Sequence, residues 1–495
     1  MKKMKYIVKS AIFFMTMSVL FSCSDDFVDV ASPDPNSEDF FNTEQEYQDA
    51  LIGAYDLLQS TYLNVMLGEI ASDNTIAGGE SASDVPGIQE VDKMEHTSVN
   101  AQLRDIWNWM FAGINRANYI MEFQNKIDFS GKEQIIAQTR FLRAYYYFEL
   151  VKWFGDVPLA IDKRILFGEE SGIERTPKEV VYTQIEEDLL FAGANLPATQ
   201  AEAGRVTSGA ARALLGKVYL YQDKFSEAAA VLDQVIAGPY DLVADYNSIF
   251  EQEGENNIES VFEVQYDDNF PGAGFDCLQC SEGNVAVGFN GIRNYTGPLF
   301  ESGFSFNLPR QEVVDAFETG DIRKDVAILD IEAWAEETGA TYSIGYQTGF
   351  EVGHTGYYNR KYIARQGDLN TGDPNLTNPN NYRAIRFADV LLMAAEAHNR
   401  KSPSNDGQAL IYLNRVRNRA QLPDVTATGN ALTNAIYQER RVELVGEGHR
   451  FFDLVRTGRA AQEIEGFMTG KHEVFPIPLI EIQLAGNSWE QNPGY

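Results

Sequence analysis

Cysteine is nearly missing from this chain, with three in 495 residues: Cys23, Cys277 and Cys280. A cysteine-built zinc site wants a second pair or nearby histidines, and neither is present. Histidine is also scarce. His96, His354, His398, His449 and His472 show no HExxH or other metal-ligand spacing, so no metal site, cofactor or zinc hydrolase is expected. Positive charge is short as well: 40 Lys and Arg stand against 72 Asp and Glu, a formal net charge of −32. Such a body repels phosphates and anionic surfaces, which excludes nucleic-acid binding. Past its N-terminus the chain has no apolar run approaching the roughly twenty residues that span a bilayer. What it does have is 44% hydrophobic and 23% charged residues, the balance of a folded, core-forming protein, and 12% aromatics.

The N-terminus reads as a targeting segment. Lys2, Lys3, Lys5 and Lys9 make a basic start, and Ala11 to Phe21 is an uncharged, mainly apolar stretch too short for a membrane span. Leu20-Phe21-Ser22-Cys23 resembles a bacterial lipobox, which implies cleavage before Cys23 and lipid on that residue. Ser24-Asp25-Asp26 resembles the acidic export signal of Bacteroidetes surface lipoproteins. Residues 1–22 are thus a lipoprotein signal peptide and 23–40 a polar, lipidated tether. Removing four lysines with the signal peptide takes the formal charge from −32 to −36.

Beyond the tether, Tyr47, Leu51, Ala54, Tyr55 and Leu58 recur at helical spacing, as do Ile106, Trp107, Met110, Ile114 and Ala117. A third helix, Ile135 to Phe154, stops at Gly155-Asp156-Val157-Pro158. Leu215, Gly216, Tyr219, Ala228 and Leu232 fall at the spacings of a tetratricopeptide helix pair, and Ala388–Asn399 with Gln408–Arg419 form another. Residues 260–385 are irregular and rich in Gly, Asn, Tyr and Phe, with strand-like pieces such as Ser260 to Val264. The ligand surface is expected there. The fold class is mainly α, with an N-terminal helical part over 41–259 and a C-terminal part over 260–495 in one integrated body.

Several segments together resemble the SusD/RagB family over nearly the whole mature chain. They are Arg140 to Phe148, Trp153 to Pro158, Arg386 to Leu392, Leu413 to Arg417, and Phe475 to Pro478 with Gln491 to Tyr495. The most specific is Glu439-Arg440-Arg441-Val442-Glu443-Leu444 leading into Glu447-Gly448-His449-Arg450-Phe451-Phe452-Asp453-Leu454. The resemblance implies a SusD-like helical fold, lipid-anchored on the outer membrane and facing the exterior. It also implies capture of oligosaccharide or polysaccharide as the lid of a SusC-like TonB-dependent transporter. A peptide- or glycoprotein-binding lid, and a surface glycosidase, stay open as alternatives.

Sugar binding needs flat aromatic faces and fixed polar groups. The irregular region offers Trp334, Tyr295, Tyr342, Tyr346, Asn294 and Arg293, with Phe270, Phe275, Tyr357 and Tyr358 beside them. Asp73-Asn74 matches a short family segment and adds candidate polar contacts. The family often carries an aromatic before the Trp107 helix, and residues 75–95 have none. In an oxidising exterior Cys277 and Cys280 are expected to form a loop disulfide. Asp368 to Asp373 lacks the acidic twelfth residue of a calcium loop and reads as a turn. The Glu439–Asp453 charges, spaced at three and four, are expected to form ion pairs within their helices, so no catalytic residue is assigned. Net charge favours a neutral glycan.

Anchoring should depend on Cys23. Cys23→Ala is expected to block lipid attachment and release the body from the outer-membrane fraction; fractionation identical to the unaltered chain would refute the lipoprotein reading.

Overall fold

The computed structural model describes residues 40–166, 168–169, 172–269, 274–278, 282–343, 354–368, 372–373 and 375–495. Cys23 and the tether through residue 39, Phe270, Cys280 and Tyr346 lie outside the described residues.

Thr43 starts helix α1 (Glu44–Asp56) with a capping box: its hydroxyl accepts from the Glu46 N–H, and the Glu46 carboxylate accepts from the Thr43 N–H. The expected stripe then tightens into a 3₁₀ turn at Leu57–Thr61 before α2 (Tyr62–Ile70). A short α3 (Pro86–Asp92) precedes α4 (Ala101–Glu122), whose first turn is capped by the Asn100 side chain accepting from Leu103 N–H. Leu103, Ile106, Trp107, Met110, Ile114 and Ala117 bury one face of α4. Helix α5 (Lys132–Phe154) is buried on nearly every side, as a central core helix must be, and Gly155 ends it at φ 72°. Helices α4 and α5 approach closely because position 113 is glycine: a Cβ there would meet the Tyr146 ring at 2.5 Å.

Helices α6 (Lys178–Asn195), α7 (Ser208–Leu220) and α8 (Phe225–Ile236) follow, each packed on the one before, with α6 packed on α5. Gly216 of α7 leaves space that Leu232 of α8 fills, the small-against-large packing expected of this pair. Asp188 of α6 pins α5 by accepting from Arg143 at 2.8 Å and from Arg140 at 2.9 Å. In the second half, α9 (Ile331–Thr338) is followed by α10 (Phe387–Arg400), α11 (Asp406–Arg419), α12 (Gly429–Glu443) and α13 (Arg450–Arg456). Helices α10 and α11 form the second expected pair, and α10 also packs on α8.

The strands are short. Among the described residues they form four antiparallel two-stranded sheets: β1 (Thr75–Gly78) with β5 (Phe306–Pro309), β2 (Val157–Pro158) with β3 (Arg175–Thr176), β4 (Ser260–Val264) with β8 (Tyr382–Arg386), and β6 (Ile328–Asp330) with β7 (Tyr357–Asn359). One large apolar core runs from Phe41 to Trp489, and a smaller one gathers Ile292, Tyr295, Phe300, Leu329, Ile331 and Tyr358. Among the described residues no helix is long and apolar enough to cross a membrane.

The charged motif in and after α12 is buried, and its ion pairs run mainly between elements, which corrects the expectation of pairs within helices. Glu443 accepts from Arg386 at 2.8 Å, Arg419 at 2.6 Å and Arg323 at 2.9 Å. Glu439 takes Arg323 and Arg417, Glu447 takes Arg386 and Lys361, and Glu259 takes Arg386 and Arg419. Arg450 reaches Asp73 rather than Asp453, while Asp453 pairs with Arg440 and with Arg456 three residues on. Spacing missed this because burial makes each carboxylate seek every cation within reach, near in sequence or not.

Burial alone would raise the Glu443 carboxyl, but Arg419, Arg386 and Arg323 outweigh it and hold the group well below the ordinary carboxylate range. Asp389, beside Lys217 and Arg440, and Asp453, beside Arg440 and Arg456, are depressed in the same way. Depressed folded values stabilise the fold fully above about pH 5, where unfolded carboxylates are ionised, and the contribution is lost as pH falls further. Glu443→Leu leaves three buried guanidinium groups short of an acceptor. It should destabilise by about 3–5 kcal/mol in urea unfolding at pH 7; a loss under about 1 kcal/mol, the scale of an exposed ion pair, would contradict the reading. Wild-type stability should begin to fall below about pH 5 and fall most steeply below about pH 3, since the folded carboxylates stay ionised there.

Candidate functional site

A cleft of about 350 Å³ opens between α2, the 80–88 segment, α4 and the region before β5. Its wall is built from helix geometry. On α4, Gln102, Asp105 and Trp109 fall at i, i+3 and i+7, so they share one face, turned away from the Leu103–Ile106–Trp107–Met110 stripe in the core. On α2, Tyr62, Leu63 and Met66 line the adjoining wall.

The rings follow one another around the cleft. Trp109 lies 6.0 Å from Tyr62, Tyr62 6.5 Å from Phe289, Phe289 5.8 Å from Phe304, and Phe304 5.6 Å from Phe275. Phe306 of β5 backs the series, 5.5 Å from Phe289. The far end, Phe275, is 64% exposed, a large apolar surface left to solvent. Its neighbour Cys277 is disulfide-bonded.

Polar groups edge these rings. Arg293 donates to the Phe304 carbonyl at 2.8 Å and faces Glu80 at 3.5 Å and Asp84 at 3.4 Å. Its charge is thereby compensated in place. Burial pushes the Asp105 carboxyl up, and Arg104 at 3.7 Å only partly reverses this. An amide, a guanidinium and carboxylates around apolar faces suit a polyhydroxylated ligand, whose hydroxyls donate and accept while its C–H faces lie on rings.

Of the residues singled out in the sequence, Arg293 and Phe275 line this cleft. Trp334, Tyr295 and Tyr342 are brought together elsewhere, around the smaller core. The Trp334 indole N–H donates to the Tyr295 hydroxyl at 2.9 Å, and its ring lies 5.4 Å from Phe300. Tyr295 is buried and its hydroxyl donates to the Pro298 carbonyl. Asn294 is exposed at φ 51° and donates to the Ser343 hydroxyl. Tyr358 is buried, and Tyr357 donates to Gln311.

Asp73 and Asn74, expected as polar ligand contacts, are engaged by partners within the protein. Asp73 accepts from Arg450 and pairs with Arg441, while fully buried Asn74 donates to Glu69 and accepts from Arg441. These groups hold framework. Beside Asn74 is a crevice of about 10 Å³, room for one water at most. Among the described residues no group of three His, Cys, Asp or Glu could hold a metal ion.

Trp109 was the residue sequence reasoning missed, although a signal existed. Two positions from Trp107 is about 200° around a helix, so the two tryptophans cannot share a face.

Comparisons with known proteins agree with this architecture. A family model described as SusD family matches residues 309–474, and one described as starch-binding associating with outer membrane matches residues 26–220. SusD-like protein P2 of Formosa agariphila is 28% identical, covering 98% of this chain and 99% of its own. The solved structure of a laminarin binding SusD-like protein is 36% identical with TM-score 0.84, covering 92% of this chain and 100% of its own. Surface glycan-binding protein A from Bacteroides thetaiotaomicron, in complex with laminarihexaose, is 27% identical with TM-score 0.80, covering 91% and 100%. The helical order, the paired helices and this extent of likeness lead to one conclusion: the chain belongs to the SusD/RagB family.

Proposed function

We propose that this protein captures a neutral glycan of the β-glucan type in the Trp109 cleft, without cleaving it, and passes it to a SusC-like outer-membrane transporter. The observation that carries the reading is the run of rings from Trp109 through Tyr62, Phe289 and Phe304 to Phe275, edged by polar groups. The laminarin-binding and laminarihexaose-bound relatives support the ligand class. The family description as starch-binding and associating with the outer membrane supports the location, with lipid on Cys23 as the anchor.

Neutrality follows from charge. With −32 overall, a polyanion approaches against repulsion. The two arginines that could reverse this locally are compensated: Arg293 by Glu80 and Asp84, and Arg310 by Asp92 at 3.4 Å and the Thr75 carbonyl at 3.0 Å. The same charge balance supports binding without catalysis, because Glu80 and Asp84 are engaged with Arg293. Transport needs a partner, since a lipid-anchored body cannot carry ligand across a bilayer that it does not span.

Trp109→Ala should weaken laminarihexaose binding by about 10-fold, or about 1.4 kcal/mol, the effect of removing one stacked ring. Trp334→Ala, at the smaller core, should change affinity by less than about twofold, within the scatter of a distant site. Calorimetry decides this, and unchanged affinity in the Trp109 variant would overturn the site. Binding should be nearly insensitive to salt because stacking and hydrogen bonds are screened little; tight, salt-sensitive binding of a sulfated or uronate polysaccharide would refute the ligand class. Reducing-sugar assays on bound glycan should show no release.

A further inference from the structure

The wall that α4 lends to the Trp109 cleft carries a carboxylate as well as a ring. Asp105 and Trp109 are four residues apart, so they stand one turn from each other on the same face, with Cβ atoms about 5–6 Å apart. Both line the cleft and both are half-buried.

Three carboxylates line this opening, and they differ in what holds them. Arg293 lies 3.5 Å from Glu80 and 3.4 Å from Asp84, and Asp84 also accepts from the Glu80 N–H at 2.7 Å. Asp105 has a looser partner. Arg104 stands 3.7 Å away, longer than a hydrogen bond, and its side chain is 49% exposed to competing water. This pair is between chain neighbours, so it joins no two elements, unlike the pairs of Glu443 or Asp73.

The cleft strips water from Asp105 without fully replacing it. Burial raises its carboxyl above the ordinary carboxylate range, and Arg104 reverses only part of the rise. On the adjoining wall, burial and the nearby Asp105 charge push the Tyr62 hydroxyl up, so it stays neutral. A carboxylate only accepts hydrogen bonds, and it has two oxygens to accept with. Beside a ring whose face takes C–H groups, such an acceptor suits the hydroxyls at the edge of the same sugar. It repels a sulfate or carboxylate placed there.

We propose that Asp105 is a specificity-determining residue of this cleft, accepting hydrogen bonds from two neighbouring free hydroxyls of the sugar that lies on Trp109. Resting on the Trp109 cleft as the glycan site, this role requires unsubstituted hydroxyls on the stacked ring. Hydroxyl donors favour the charged carboxylate, so ligand binding lowers the value that burial has raised. Affinity is therefore full where Asp105 is ionised and falls as pH drops through the free protein's raised value. Arg104, Arg293, Glu80 and Asp84 also charge this space, and Tyr62 borders it. All five are shared by the unaltered chain and an Asp105 variant, so comparing the two isolates position 105.

The test is calorimetry of laminarihexaose binding to the full chain at about pH 7 and about pH 4, with circular dichroism confirming the fold at both. Asp105→Asn keeps the size and one acceptor oxygen while removing the charge. At pH 7 it should bind about tenfold more weakly, the worth of hydrogen bonds to a charged acceptor. The unaltered chain should lose about twofold or more between pH 7 and pH 4, since a carboxyl raised above about 3.9 is largely protonated at the lower pH. The variant should lose clearly less, a difference that a purely structural role would not produce. Unchanged affinity in Asp105→Asn, or the same pH profile in both proteins, overturns the proposal. If Trp109→Ala weakens binding while Asp105→Asn does not, the glycan site stands and the role of Asp105 falls. If Trp109→Ala changes nothing, the site falls and the role of Asp105 falls with it.

Discussion

The Glu443 carboxylate, surrounded by Arg323, Arg386 and Arg419, is the constraint on which the molecule's geometry depends. Its three cations come from the segment before β6, from β8 and from α11, so one side chain fixes three separate stretches of chain. Glu447 extends the arrangement to Lys361, and the following turn reaches the N-terminal half: Gly446 and Gly448 donate their N–H groups to Glu69 of α2 at 2.8 and 3.0 Å. Glu69 is fully buried, and burial raises its carboxyl despite those donors. Arg441, on the same helix as Glu443, holds Asn74, whose carbonyl accepts from Arg310 N–H where β5 joins β1. That sheet carries Phe306 into the cleft. An ionic cluster outside the cleft thus helps to fix where the cleft's rings stand.

The cluster also explains how so acidic a chain is built. Its buried arginines are matched by buried carboxylates, so the surplus of acid lies mainly on the surface, where hydration makes it inexpensive. Guanidinium groups are consumed by framework, and few remain to greet an anionic polymer.

Much of the helical frame was legible because it is local. The stripe of α4, the arrest of α5 at Gly155, the Gly216–Leu232 fit and the boundaries of α10 and α11 all follow from periodicity and residue size. The ion pairs were not, since Glu443 and Arg323 are 120 positions apart and nothing in their spacing joins them. For the binding surface, composition drew attention to the aromatic-rich 260–385 region. That region supplies Phe275, Phe289, Phe304 and Phe306, but six of the sixteen lining residues, among them Tyr62 and Trp109, come from α2 and α4. Trp334 and Tyr295 pack at the smaller core, a placement that an isolated ring in an irregular segment does not reveal in sequence. A short polar pair after a helix, Asp73-Asn74, carries no mark in sequence of the arginines that meet it from the other half.

Helix α4 has one further consequence. Positions 103, 106, 107 and 110 are committed to the core, whereas 102, 105 and 109 face the cleft, and the two sets interleave without overlapping. Selection can therefore act on the second set while leaving the first untouched. A descendant protein could exchange the outward tryptophan, aspartate or glutamine, and so change the sugar it takes, at little risk to folding. The helix separates two evolutionary demands that in most proteins fall on the same residues, and offers a ready route by which one scaffold diversifies across many glycans.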